Sequence, residues 1–97
     1  MKYLPNPLIV TRHKALVEVL LNDFGLVDVE IIEHATPEKI KGRNVIGILP
    51  IYLASLCDTI TALNLNLPPE LRGVELSEDQ VREYMGDLTT YEVRSLE

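Results

Sequence analysis

The feature that most restricts the fold is a run that is apolar on both faces, Val45-Ile46-Gly47-Ile48-Leu49. Successive side chains of a strand point to opposite sides, so this run needs cover on both, as a central strand of a parallel sheet has. An earlier run, Leu8-Ile9-Val10-Thr11, is short and β-branched and follows Pro5 and Pro7, and it reads as a buried first strand. Between the two, the period changes. Leu16, Leu20 and Phe24 form a helical stripe, widened by Val17 and Leu21, which predicts a helix from His13 to Phe24 with Gly25 as its stop. Strand alternating with helix implies right-handed βαβ crossovers and a mostly parallel sheet.

The remaining signals extend this alternation. Val27, Val29 and Ile31 alternate with Asp28, Glu30 and Ile32, which suits a second strand. Thr36-Pro37-Glu38 reads as an N-cap, a first-turn proline and an acidic first-turn residue, opening a short helix that ends near Gly42. Pro50 fits the first turn of a further helix, where its missing N–H costs little. Leu53, Leu56, Cys57 and Ile60 then follow helical spacing. Leu63, Leu65 and Leu67 alternate with Asn64 and Asn66 in a predicted fourth strand, ended by Pro68-Pro69. Ser77-Glu78-Asp79-Gln80 is a capping box for a last helix through about Met85. Thr89 to Val93 fits an edge strand or a tail. The expected architecture is an α/β three-layer sandwich with a mostly parallel sheet of four to five strands.

Length and charge bound the function. The chain has 97 residues, which fits a single domain over 1–97, with Leu96-Glu97 set aside as the pair that often precedes a purification tag. A domain this small buries only about 60–65% of its unfolded surface, so a second copy would add useful burial. The net charge of −6 argues against coating long nucleic acid. It leaves room for a small anion in a local basic pocket. The longest apolar stretches are interrupted by Glu18, or by Gly47 and Pro50, so no membrane span is expected. The amino terminus lacks the apolar core of a signal peptide, and a lone Cys57 cannot form an intrachain disulfide; both point to the cytoplasm.

In an open parallel sheet, ligands bind beyond the carboxyl ends of the strands, where strand order reverses. The loops expected there are Thr11-Arg12-His13, Glu33-His34-Ala35-Thr36 and Leu49-Pro50-Ile51-Tyr52. Free N–H groups at a helix start attract phosphate, and Arg12 adds a planar donor fork that matches its oxygens. His13 and His34 belong to the side-chain type best suited to acid or base work near neutral pH. There is no HxxxH, no CxxC and no carboxylate cluster, so neither a metal nor another cofactor is expected; GxGxxG and Walker loops are also absent. Plainer roles stand beside each candidate. Arg12 is as readily a solvated residue; a histidine at a strand end such as His34 is more often a capping or core residue, and Cys57 on an apolar helix stripe is a packing residue. Tyr52 fits a ligand-facing hydroxyl or a surface ring equally well, and Arg72-Gly73 a binding loop or a simple turn.

Three blocks in order then carry a resemblance: Val10-Thr11-Arg12-His13, Val45-Ile46-Gly47-Ile48-Leu49-Pro50, and Leu67-Pro68-Pro69-Glu70-Leu71-Arg72-Gly73-Val74-Glu75-Leu76-Ser77. Over nearly the whole chain they resemble the small CRISPR-associated Csx family numbered sixteen, found beside type III CRISPR systems. His34 also falls at a histidine of that family. Tyr52 departs from its more polar residues after the Leu-Pro pair, as does the extended segment before Leu8.

The resemblance implies a Rossmann-like fold and a homodimeric ring nuclease that degrades cyclic oligoadenylate messengers, cyclic tetra-adenylate foremost. The simplest chemistry for such an enzyme needs no metal: a ribose 2′-hydroxyl attacks the adjacent phosphorus. Arg12 would then hold the phosphate, with His13 and, second to it, His34 as acid or base. Thr11, Leu49, Pro50, Tyr52, Arg72 and Gly73 would contact the ligand. Two other functions stay open at this stage: a sponge that binds the cyclic nucleotide without cleaving it, and a protein-interaction module of the same pathway.

Overall fold

The computed structural model describes residues 7–26 and 28–97. Chain order runs β1 (Pro7–Val10), α1 (Lys14–Asp23), β2 (Glu30–Ile32), α2 (Pro37–Ile40), β3 (Asn44–Gly47), α3 (Ile51–Ala54), β4 (Thr59–Ala62), α4 (Glu78–Tyr84) and β5 (Thr89–Tyr91), with a 3-10 turn at Pro69–Leu71. The strands form one five-stranded sheet in the order β2-β1-β3-β4-β5. The first four are parallel and β5 is antiparallel to β4. The order doubles back at β1, so β1 and β3 flank the reversal point, as in small Rossmann-like sheets.

Strand alternation divides the core into two layers. Ile9 and Ile46 face one side, where Leu16, Val19 and Leu20 of α1 and Val81 of α4 cover them. Leu8, Val10 and Val45 face the other side and meet Ile40 of α2, Ala54 of α3 and Ile60. This two-sided burial is the cover expected for Val45 and Ile46, although β3 ends at Gly47 and leaves Ile48 exposed beyond it, and it makes the molecule a three-layer sandwich. At the reversal point the strands are close-set. A Cβ on Gly47 would lie 2.5 Å from the Val10 carbonyl oxygen, so β3 needs a glycine where it pairs with Val10 of β1.

The helix ends follow their local chemistry. Ser77 closes a capping box: Gln80 N–H donates to Ser77 Oγ at 3.2 Å, and Ser77 N–H donates to Gln80 Oε1 at 3.0 Å. Gly25, at φ +63°, follows α1 as the sequence predicts. Arg82 of α4 donates to both carboxylate oxygens of Asp23 at the end of α1, at 2.9 and 3.0 Å, which holds the Asp23 carboxyl below its usual range. The two helices on this layer are thus joined at their ends as well as by their apolar faces.

Several boundaries differ from expectation. The helix predicted through Ile60 closes after one turn, and the fourth strand is Thr59–Ala62, earlier than the Leu63–Leu67 segment. Thr59-Ile60-Thr61 is β-branched, and strand pairing with β3 overrides the helical spacing of Ile60. Thr59 Oγ1 also donates to Asn44 Oδ1 at 2.8 Å across that ladder. Leu63 is core nonetheless. Beyond it, Leu65 bridges to Met85 outside the main sheet, supported by Asn66 N–H to Tyr84 O and Gly86 N–H to Asn64 O. The second strand covers Glu30–Ile32 and so is shorter than the predicted alternation; Val27 lies outside the described residues. Cys57 packs in the second layer as expected, though in the turn after α3, and burial, then Asp58, pushes its thiol up. Thr89–Tyr91 is an edge strand, with Thr90 and the buried Thr61 hydroxyls 2.8 Å apart. No helix among the described residues is long and apolar enough to cross a membrane.

Candidate functional site

The turn from β1 to α1 is built by its own short-range bonds. Thr11 N–H donates to Ile32 O at 3.0 Å, which fixes the loop against β2. His13 N–H then donates to Thr11 Oγ1 at 3.1 Å, turning the chain sharply toward α1. His13 is the N-cap residue, but no side chain caps the helix and no acidic residue lies in its first turn. The leading N–H groups of α1 therefore keep their partial positive charge for a ligand or water.

Three cavities adjoin this turn, and His13 lines all of them. The first, about 290 Å³, is charged: Arg12, His13 and Lys14 stand on one wall and Gly73, Val74, Glu75 and Leu76 on the other. Gly73 makes that wall possible, because its φ of +77° is a left-handed conformation that favours glycine. The second, about 220 Å³, is mainly aliphatic, lined by the buried Val10, Leu16 and Leu63, the half-buried Leu65 and Thr11, and the exposed His13, Glu33 and Ile48. The third, about 260 Å³, lies on the β2 side, where Arg12 and Lys14 share it with Glu18 and Glu33.

The sequence-derived candidates divide accordingly. Arg12, His13 and Gly73 line the first cavity together, whereas Thr11 lines the second and third with His13 and does not share a cavity with Gly73. Arg72 is exposed and ends the 3-10 turn just before Gly73, outside the walls of these three cavities. His34 is exposed on the same sheet edge, beyond β2, but it too lines none of the three. Pro50 serves as the N-cap of α3, its carbonyl accepting from Leu53 and Ala54 N–H at 3.0 and 2.9 Å. Leu49 packs against the second core layer, and Tyr52 is 70% exposed. These loops share one edge of the sheet, and the β1–α1 turn is common to all three cavities; the segment before α4 completes the first, Glu33, Ile48, Leu63 and Leu65 the second, and the end of β2 the third.

Lys14, Ile48 and Glu75, and Glu33 within its expected loop, are among the wall residues that sequence reasoning did not assign a role. Lys14 had a signal, as the third member of the Arg12-His13-Lys14 run. Glu33 also had one, because it is the first residue past β2. Among the described residues no group of three or more His, Cys, Asp or Glu side chains is placed to hold a metal ion.

A family model described as "Putative CRISPR-associated protein (Cas_VVA1548)" matches residues 8–94. No curated protein and no solved structure matches the chain.

Proposed function

The chain belongs to this family of CRISPR-associated proteins, and from that premise we propose that it is a ring nuclease that opens cyclic oligoadenylate messengers, cyclic tetra-adenylate above all, and so ends type III CRISPR signalling. The proposal includes its place in the Csx family numbered sixteen and a homodimeric state matched to a symmetric ring. One observation carries it: Arg12, His13 and Lys14 line a single cavity opposite Gly73–Leu76, beyond the carboxyl end of β1. A polyanion on a protein of net charge −6 needs such a local basic wall.

The chemistry is a transesterification that needs no metal. A ribose 2′-oxygen bonds to the adjacent phosphorus, and the bond from phosphorus to the 5′-oxygen breaks. The 2′-hydroxyl proton passes to a base, and an acid supplies a proton to the departing 5′-oxygen. The product is linear and ends in a 2′,3′-cyclic phosphate. His13 borders the cavity and takes the first of these proton roles; His34 is the second candidate and would reach the ligand from the loop after β2. Arg12 and the open N–H groups of α1 stabilise charge on the non-bridging oxygens. Arg72 closes over the ligand from beside Gly73.

The test is incubation with radiolabelled cyclic tri-, tetra- and hexa-adenylate in EDTA, with chromatography of the products. Cyclic tetra-adenylate should be converted to linear product. Arg12→Ala should slow this by about 10²–10³-fold and His13→Ala by about 10²–10⁴-fold. Unchanged cleavage in both variants, with circular dichroism showing them folded, would sink the assignment. Tight retention of the intact ring would replace cleavage with sequestration, and no interaction with any ring would favour a protein-binding module.

A further inference from the structure

We infer that the aliphatic cavity beside His13 is the subsite for an adenine base, and that Glu33 selects that base by accepting a hydrogen bond from its 6-amino group. The inference rests on the ring-nuclease reading for the identity of the whole ligand, and it adds where each part of the nucleotide lies.

The cavity's size and lining favour a single flat ring system. At about 220 Å³ it is smaller than the roughly 300–1,000 Å³ that enclose drug-sized molecules. Val10, Leu16 and Leu63 at its base are 8%, 3% and 1% exposed, so a ligand entering it meets core side chains. Water there finds few polar partners, which leaves the space available to an apolar face. Ile48 supplies an independent sign. It follows Gly47 at the end of β3 and is 69% exposed, an aliphatic side chain in water beside the opening. A heterocycle in the cavity would cover it.

The polar end of the cavity then decides which ring. Glu33 is exposed, and an ionised carboxylate only accepts hydrogen bonds. Adenine presents an amino donor at position 6, whereas guanine and hypoxanthine present an oxygen there, which would face the carboxylate lone pair to lone pair. His13 lines this cavity and also the charged one, where Arg12 and Lys14 stand. A nucleotide with its base in the first and its phosphate in the second must carry its ribose across His13. That brings a 2′-hydroxyl to the side chain proposed to take its proton.

The experiment is a methyl-detected NMR titration of the full chain with adenosine, inosine and cytidine 5′-monophosphates. Adenosine monophosphate should shift the methyl signals of Leu16, Ile48, Leu63 and Leu65 and bind at least about tenfold more tightly than inosine monophosphate, a factor within reach of one charge-assisted hydrogen bond. Glu33→Gln should bring the two purines to near-equal affinity, since a side-chain amide can donate to the 6-oxygen. The inference is overturned by methyl shifts confined to other residues, by equal binding of adenosine and inosine monophosphates to the parent protein, by cytidine monophosphate matching adenosine, or by a Glu33→Gln variant that keeps the parent preference. Cleavage of cyclic tetra-adenylate by the same samples separates the two readings. Intact cleavage without base preference removes the subsite alone; adenine-selective binding without cleavage removes the nuclease alone.

Discussion

Gly47→Ala tests whether the reversal point of the sheet is as tightly built as its geometry indicates. An alanine Cβ at this position would sit 2.5 Å from the Val10 carbonyl oxygen and 3.4 Å from Val10 Cβ. The first distance is about 0.8 Å short of the roughly 3.3 Å at which carbon and carbonyl oxygen ordinarily meet. The obstacle is backbone, so it cannot rotate away; β1 and β3 must part. Overpacking of this kind costs about 1–3 kcal/mol, and removing a glycine from the unfolded chain returns about 0.4–1 kcal/mol. Because the obstacle is backbone, the cost falls in the upper part of that range, about 2–3 kcal/mol, so the net loss should be about 1–2.5 kcal/mol, which lowers Tm by roughly 4–20 °C in a domain of this length. Urea denaturation should show a lower midpoint at an unchanged slope. Val10 leads directly into Thr11, so the amide signals of Arg12 and His13 should also move. Gly86→Ala is the control, because its Cβ would meet the Asn66 side-chain nitrogen at 3.4 Å, the Asn64 carbonyl oxygen at 3.6 Å and Asn64 Cβ at 3.9 Å, all ordinary van der Waals separations that should leave stability nearly unchanged. If Gly47→Ala were as stable as the parent to within about 0.5 kcal/mol, the close approach of β1 and β3 would be refuted.

Three further outcomes follow from the same structure. Asp23 is held below its usual pKa of 3.8 by its hydrogen bonds to Arg82, so the pair stabilises the fold fully above that value and progressively less as pH falls below it; Asp23→Asn should flatten this part of the urea-midpoint profile, and an unchanged profile would remove the pair from the account. Cys57 is buried and its thiol is pushed up, so a thiol reagent at neutral pH should react slowly with the native chain and rapidly in urea; equal rates in both would mean the thiol is accessible. Ser77→Ala opens the capping box and should cost about 0.5–2 kcal/mol by urea denaturation, with no loss if the box contributes nothing to α4.

The parts of the fold visible in the sequence are those whose causes are local. The capping box names its helix with Ser77 and Gln80 alone, and the Leu16–Leu20–Phe24 stripe stops at Gly25 as written. The doubly apolar Val45–Leu49 run predicts cover on both faces, and Val45 and Ile46 receive it, one on each side, while the strand stops at Gly47 and leaves Ile48 exposed. Strand β4 shows the limit of this reasoning. Ile60 satisfies helical spacing from Leu53 and strand propensity from its threonine neighbours equally well. The decision is made by β3, a partner distant in sequence. The Leu63-Leu65-Leu67 alternation is likewise a true sign of extended chain, but its partner is the segment that follows α4, so it never joins the central ladder.

The same distinction governs the site. Thr11, Arg12 and His13 were legible because a strand-to-helix turn is one local event, and the positive φ of Gly73 gives a physical reason for glycine in the facing loop. Leu49, Pro50 and Tyr52 were placed by topology alone, on the premise that the loop after β3 would reach inward as the loop after β1 does. Pro50 instead starts α3 at once, which turns Tyr52 to solvent and Leu49 toward the other layer. The space left beside His13 is closed by Leu63 and Leu65 from past β4 and by Glu33 from past β2. None of these carries a motif. Leucines that continue a core stripe and a glutamate at a strand end look ordinary until three-dimensional packing brings them round one histidine. A local pattern can therefore mark the end of a site that grips phosphate, while the end that would read a base emerges only from long-range packing.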